Sequence, residues 1–494
     1  MTETAAMNLE TLFLTLRDSL WVCLATDALL WLLAFAFLCG LIVILRSPLQ
    51  RAVWQKVFAQ RLAVVSSVLL AVAAVFALLD SIHFREPLPP LAEAPVDEVV
   101  QVRYAVEVRS VLDLLLTDLR RDYERTYSAP LAVQLSALEP VTVTLPDGMT
   151  IVRREAPRLR VAGQAFPPGP VSSEAYWSDV LLRVGSGVLS GLLLASSLIL
   201  VGWGALRWRF ARTDTPKRTR ISAPLRWTAA AVVVLCVIGG VFTALSTNFH
   251  VFGTDKVGQD VLYQVLKSLR TALVIGLVPT LVTLPVGVLL GLLAGYFRGK
   301  VDDAIQYVYT TVSAIPGVLL IAASVLSIQV MIDNHPEWFA TSVERGDVRL
   351  LALCIILGMT SWTGIARLLR GEALKMREYE YVQAAKAFGV SAGRILLRHI
   401  LPNVFPIILI TMVMEFSTLV LAEAVLSYIG IGVDPTMFSF GLMINNARME
   451  LSREPVVWWS LTAAFLFMVV LVLAANLLAD AVRDALDPRS EHSS

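Results

Sequence analysis

The sequence predicts an α-helical polytopic membrane protein of about nine transmembrane helices, with a small α+β extracytoplasmic domain inserted near the N-terminus. Three observations lead there. Apolar and aromatic residues make up 56% of the 494 residues and charged residues only 16%, where soluble proteins carry about 25% charge. The apolar residues gather into runs approaching or exceeding the ~20 residues a spanning helix needs, at 28–45, 62–79, 181–206, 227–246, 271–297, 307–332, 350–369, 404–429 and 456–478. Basic residues crowd alternate connections between those runs, which is the pattern left by the cytoplasmic retention of Lys and Arg.

The first run could be mistaken for a leader. The residues before it are net acidic and no small-residue cleavage site follows before Arg46, so a retained helix is expected. Arg46, Arg51, Lys56 and Arg61 lie between the first two runs, and Arg207, Arg209, Arg212, Lys217, Arg218 and Arg220 between the third and fourth. Arg298 and Lys300 follow the fifth run, and Arg367, Arg370, Lys375 and Arg377 follow the seventh. Alternation from any of these clusters gives one topology, with the N-terminus outside and the C-terminus cytoplasmic. Residues 80–178, 333–348 and 431–455 then face out.

Four segments follow from this reading: two extra spans in 1–79, the outer domain in 80–178, a third extra span with a basic linker in 179–225, and six spans in 226–490. In the outer domain, apolar residues recur every three or four positions over 99–125, which predicts a long amphipathic helix. VTVTLPDGMTIVRRE alternates around Pro146-Asp147-Gly148, a hairpin signal, and RLRVAGQAF is expected as a third strand before PPGP. In the fifth span, Gly287, Gly291 and Gly295 recur every four residues and make a flat stripe for a neighbouring helix.

Several function classes are excluded. The net charge of +1 gives no reason to expect nucleic acid. Cys23, Cys39, Cys236 and Cys354 all sit in or beside apolar runs, so neither a disulfide framework nor a thiolate metal site is expected. The five histidines are scattered, and no Gly-rich phosphate loop occurs. No catalytic residue, metal site or cofactor is therefore expected on this chain, and energy must come from partners.

The cytoplasmic stretch EYVQAAKAFGVSAGRILLRHILPNV (380–404) is the most informative. Residues 374–388 read as one helix with Met376, Tyr379, Val382 and Ala385 on one face. Gly389 supplies the left-handed C-cap, Ser391 is an N-cap for a second helix to about Ile400, and Pro402 is expected to break the chain where the next span begins. Small Ala384 and Ala385 leave a face thin enough to enter a groove on a partner. A juxtamembrane loop whose arginines snorkel to membrane lipid is the plainer alternative.

AAKAFG followed at a distance by Leu-Pro resembles the coupling motif of ABC importer permeases, through Ala384, Ala385, Gly389, Leu401 and Pro402. Gln383 stands where glutamate is usual and His399 where isoleucine is common; Arg394 lies within the same segment. The phrase EYVQAAKAFG…RHILPN is similar to the dipeptide/oligopeptide/nickel branch. FGTDKVGQDVL resembles that branch's external signature at Gly253, Thr254, Asp255, Gly258 and Asp260, with Gln259 replacing arginine. Thr254 or Asp255 is expected to cap a helix there, as a structural cap or a substrate contact. NLLADAVRDALDPR resembles the family's C-terminal tail at Asn476, Asp480, Arg483, Asp484, Asp487, Pro488 and Arg489, with Ala479 in place of glycine.

The resemblance covers residues 225–490 and implies a six-helix permease core with coupling helices in 372–401. It also implies a second homologous permease, one or two ABC ATPase subunits, an extracytoplasmic solute-binding protein and residence in the cell inner membrane. Glu415 and Glu423 share one predicted span, and because a charge at mid-bilayer costs at least ~2.5 kcal/mol, both are candidates for the translocation path. Asp27 is expected at the membrane interface. Two other classes compete: an ion- or proton-coupled secondary transporter, which needs paired mid-membrane charges, and a membrane-anchored scaffold working through the outer domain.

Overall fold

The computed structural model describes residues 19–88, 103–144, 150–167, 171–211, 223–339 and 341–486. In chain order these form β1 (Leu20–Val22), α1 (Ala25–Arg46), α2 (Pro48–Val57), α3 (Arg61–Asp80), β2 (His83–Arg85), β3 (Arg109–Ser110), α4 (Val111–Leu115) and α5 (Thr117–Arg121). There follow β4 (Glu139–Thr144), β5 (Thr150–Glu155), α6 (Arg160–Ala165), α7 (Ser173–Ala211), α8 (Ala223–Ser246), α9 (Val261–Leu277) and α10 (Thr280–Phe297). The rest is α11 (Gly299–Ala314), α12 (Gly317–Asp333), α13 (Ser342–Met376), α14 (Glu380–Ala387), α15 (Ala392–Ile395), α16 (Leu401–Ile429), α17 (Phe440–Arg448) and α18 (Trp459–Leu486).

Among the described residues, 8 helical stretches are long and apolar enough to cross a membrane, and 9 if one bent pair counts as a span. That pair, α11 and α12, replaces the single straight span expected at 307–332: the two helices meet at 83°. The cause is local. Pro316 holds the preceding Ile315 in an extended conformation (φ −82°, ψ 130°) and has no N–H to donate to the turn before it. The span expected at 271–297 likewise consists of the end of α9 and all of α10, interrupted at Pro279.

Two expectations for the outer segment are corrected. The long helix over 99–125 is instead β3 followed by the two short helices α4 and α5, with 99–102 outside the described residues. Apolar periodicity there reports packing of short pieces, with Leu112 and Asp113 turned inward. The third strand expected at 158–166 is α6, a helix that buries Ala162 and leads to buried Phe166. The hairpin does form, pairing Glu139 with Glu155 and Thr144 with Thr150, while its turn at 145–149 lies outside the described residues. An unforeseen antiparallel sheet runs β1-β2-β3 and places Trp21 opposite Phe84.

The chain divides into two compact units. One gathers the described residues of Met1–Val43, Ala74–Leu115 and Leu269–Leu442. Its core joins Leu292, Tyr296, Ile365, Leu369, Val382, Ile395, Ile400 and Val404. The glycine stripe of α10 lies against α13: a Cβ on Gly287 would sit 2.0 Å from Ile365, and one on Gly291 2.7 Å from the Ala366 carbonyl. The second unit gathers Ile44–Ala73, Leu116–Ser268 and the described part of Met443–Ser494. Leu135, Leu159, Phe166, Val180, Leu245, Phe249 and Leu262 form its core. Within it α7 and α8 touch backbone to backbone, since a Cβ on Gly240 would fall 2.4 Å from the Gly187 carbonyl.

Overpacking a tight helix contact costs typically 1–3 kcal/mol. Gly291→Val is therefore expected to lower the unfolding temperature of the purified protein by several degrees. Gly364→Ala, at a point of α13 with open space around it, should leave that temperature unchanged.

Candidate functional site

The coupling segment is built from an apolar pad upward. α13 ends at Met376, a turn at 377–379 follows, and α14 begins at Glu380. The helix expected over 374–388 is thus divided by that turn. Val382, 2% exposed, points into the pad with Ile395, Leu396 and Ile400, while Ala385 packs against it. Fully burying a Val or Ile is worth about 1.5–3 kcal/mol, enough together to hold so short a helix on the protein. Gln383, Ala384 and Lys386 remain exposed, and Phe388 at the helix end is 87% exposed.

Gly389 ends α14 with φ +75°. The following Val390 N–H reaches back to the Ala385 carbonyl at 3.1 Å, and the Gly389 N–H to Lys386 at 3.0 Å, satisfying carbonyls that the helix end would leave open. Ser391 precedes α15 in an extended conformation but makes no side-chain cap. Pro402 does not break the chain. α15 continues through one π-helical turn, Leu396–Ile400, directly into α16, and Pro402 occupies the first turn of that helix, where its missing N–H costs little. The second coupling helix and the membrane span are therefore one continuous rod. Arg394 and Arg398 on it are exposed.

Ion pairs fix the corner beneath. Arg370 grips Asp302 through Nε (2.6 Å) and Nη2 (2.8 Å). Arg377 Nη1 donates to the Tyr296 carbonyl at 2.7 Å, and Arg298 donates to Glu378 at 2.7 Å.

The external signature forms a loop stitched to the segment 124–131. The Thr254 hydroxyl donates to the Thr126 carbonyl (2.9 Å) and accepts from the Ser128 N–H (2.7 Å). The Glu124 N–H donates to the Gly258 carbonyl (2.9 Å) and the Leu131 N–H to that of His250 (2.9 Å). Gly258 has φ +77°, and a Cβ there would lie 1.8 Å from the Glu124 carbonyl oxygen. The helix cap is neither Thr254 nor Asp255. Asp260 caps α9, accepting from the N–H groups of Leu262 (2.7 Å) and Tyr263 (3.3 Å), whereas Asp255 closes its own turn by accepting from Val257 and Gln259. Trp459 at the start of α18 donates to the Thr254 carbonyl at 2.9 Å. Thr254 and Asp260 are fully buried and held within the loop, whereas Asp255 is partly exposed.

Sequence reasoning missed His250 at the centre of this loop. Its Nδ1 lies 2.7 Å from Asp260 and its Nε2 3.6 Å from Glu124. Burial opposes charge on the imidazole, but the two carboxylates outweigh it and push the pKa up to about 9. Burial likewise opposes ionisation of Glu124, and the neighbouring His250 ring together with hydrogen bonds from the N–H groups of Arg160 and Val161 holds its carboxyl below the usual range. The ten-residue spacing from His250 to Asp260 carries no helical or strand period, which is why the pair was invisible.

Asp27, expected at the interface, is 2% exposed. Its carboxylate takes Arg270 Nη2 at 2.6 Å and His83 Nδ1 at 2.7 Å. Arg270 also donates to the Thr26 hydroxyl (3.1 Å), and Thr26 in turn donates to Asp347 from its hydroxyl and, at 3.1 Å, from its N–H. Arg270 sits in α9 three residues after Lys267, at the start of an apolar run, and a cation so placed was the available signal. The two acidic residues of α16 differ. Glu423 is buried within the chain, accepting from Ser427 at 2.6 Å. Glu415 is half-buried.

In the tail motif, Asn476, Asp480, Arg483 and Asp484 lie on α18, whereas Asp487, Pro488 and Arg489 fall outside the described residues.

Both buried clusters carry measurable consequences. His250 gains affinity for its proton on folding, so its contribution is complete below about pH 6.5 and fades as pH rises through about 9. Glu124 loses affinity, so its contribution is complete above pH 4.5 and fades on acidification. The unfolding temperature should therefore plateau between those limits, and His250→Gln should flatten the alkaline fall; an unchanged alkaline fall would count against the clamp. Arg270→Gln leaves Asp27 and Asp347 without their cation, an expected loss of about 3–5 kcal/mol in denaturant unfolding.

Comparison with known proteins agrees with these elements. Residues 287–492 match the family described as binding-protein-dependent transport system inner membrane component. The oligopeptide transport system permease protein OppC of Bacillus subtilis is 30% identical over 317 residues, which are 64% of this chain and 91% of that protein. The dipeptide transport system permease protein DppC of the same organism is 30% identical over 240 residues, 49% of this chain and 69% of that protein. The glutathione transport system permease protein GsiD of Pectobacterium atrosepticum is 33% identical over 245 residues, 49% of this chain and 74% of that protein. The chain belongs to the family of binding-protein-dependent inner-membrane transport components, as a non-catalytic permease of the dipeptide/oligopeptide class of ABC importers.

Proposed function

We propose that this permease imports peptides or similarly sized solutes, forming half of a translocation pathway with a second, homologous permease. One or two ATPase subunits grip the exposed face of α14, and an extracytoplasmic binding protein delivers the cargo. The observation that carries the reading is mechanical. α14 is anchored by Val382 on one side and offers Gln383, Ala384, Lys386 and Phe388 to solvent on the other. A push on that face passes through the pad to α15, which is continuous with α16, so a partner's movement tilts a membrane span. Gln383, Ala384, Ala385, Gly389, Arg394, Leu401 and Pro402 are the coupling residues in this reading.

The basic connections support an orientation with the N-terminus outside and the C-terminus in the cytoplasm. The loops of Asp260 and of His83 then lie on the outer side, where the clamps of the N-terminal segments brace the chain. This assignment accounts for the outer segment as a brace, in place of the independent scaffold considered above. The matches to importer permeases likewise favour an ATP-driven system over an ion-coupled transporter.

Purification from native membranes should recover a second permease and at least one subunit with a phosphate loop. A photo-crosslinker at Ala384 or Phe388 should capture that ATPase, and capture of lipid alone would sink the coupling role. Phe388→Asp should lower solute-stimulated ATP hydrolysis at least ~10-fold while leaving the unfolding temperature unchanged.

A further inference from the structure

In α16, Glu415 lies fourteen residues from Leu401 and fourteen from Ile429, roughly 21 Å from either end of the helix. That is the depth at which an ionisable side chain is most costly and must face protein or water. Other acidic residues in or beside the spans have partners of their own: Asp27 and Asp347 bind Arg270, Asp302 binds Arg370, and Glu423 accepts from Ser427. Among the described residues, no hydrogen bond or ion pair reaches Glu415, although it is half-buried. Among the described residues, then, no group of this chain answers the carboxylate.

The neighbouring surface narrows which chemistry would answer it. Thr411, Glu415, Thr418 and Ala422 recur at the three- and four-residue spacing that puts side chains on one helix face. Thr411 turns its hydroxyl hydrogen onto the Ile407 carbonyl at 2.8 Å, and Thr418 turns its own toward Met414 at 3.4 Å. With their hydrogens directed to the backbone, both hydroxyls present lone pairs to the strip. It offers a carboxylate and acceptors, with no donor. Met414, Leu421 and Val425, all exposed, flank it with apolar surface.

We propose that Glu415 lines the translocation path and engages the ammonium group of the passing solute, a free amino terminus or a lysine-like side chain. Thr411 and Thr418 add acceptor oxygens on either side. The step is non-covalent: an ammonium group leaves water, pairs with the carboxylate during passage and is released to water again. This rests on the permease reading above, and it names a selecting residue on the pathway in addition to whatever the binding protein selects.

The test uses the intact complex in native membrane vesicles. Thr418→Cys is introduced into a chain whose Cys23, Cys39 and Cys236 are replaced by Ser, while Cys354, fully buried, is retained. With each rate divided by that reagent's own rate with a free thiol in solution, labelling by a trimethylammonium methanethiosulfonate is expected to run about ten times faster than labelling by the sulfonate analogue. Adding Glu415→Gln should bring the two rates within about two-fold. Absence of labelling by either reagent, or equal rates with Glu415 in place, would overturn the proposal. In uptake assays, Glu415→Gln should cut entry of a free-amine dipeptide about ten-fold more than entry of its N-acetylated form, with Glu415→Asp restoring most of the difference. Equal losses for both would also overturn it. Should the unmodified complex take up no peptide at all, the peptide assignment fails, while the reagent ratio still decides whether the carboxylate faces a cation-attracting aqueous path.

Discussion

A charge withdrawn from water must be answered by another group held at hydrogen-bond distance, because unpaired burial costs several kcal/mol. Much of this molecule is arranged around that requirement. Arg270 would be intolerable in α9 without Asp27 at the start of α1, and Asp27 in turn takes His83 from β2. The extra N-terminal helix is thereby tied to permease helices by charge, where its remaining surface is apolar and suited to lipid. His250 plays the equivalent part in the second unit, between Asp260 of the external signature and Glu124 of the outer segment. In both places a residue of the permease region is completed by one from the N-terminal extension.

That arrangement changes the meaning of the external signature. Gly253, Thr254, Gly258 and Asp260 are buried parts of a folded loop, and Gly258 is glycine because the Glu124 backbone occupies the space a side chain would need. The segment 124–131 and the loop 250–260 are thus hydrogen-bonded to each other as one folded piece. At α14 the problem is the reverse: a short helix must stay ordered while leaving one face free. Val382 and the pad solve it by burial, and Gly389 closes the helix so that Phe388 projects outward.

The continuity of α15 with α16 matters for how force travels. A helical rod transmits displacement along its axis, whereas a broken connection would absorb it. Pro402 looked like such a break. Instead the rod runs past it: Pro402, with no N–H to donate, follows closely on the Leu396–Ile400 turn.

The membrane class, the number and order of the spans, the hairpin at 139–155 and the left-handed Gly389 at the end of α14 were legible in the sequence, because hydropathy and backbone conformational preference are properties of neighbouring residues. The bend at Pro316 and the continuity through Pro402 were not, since one residue type acts differently at the end and at the start of a helix. The outer segment misled because periodicity cannot distinguish one long helix from short helices packed together. Only the tertiary structure could join Asp27 to Arg270 or His250 to Glu124, partners separated by more than a hundred residues. It also separated Glu415 from Glu423, which share a helix and a chemistry. Whether a buried carboxylate has an answering group is decided by what folding brings beside it, and linear order carries no record of that.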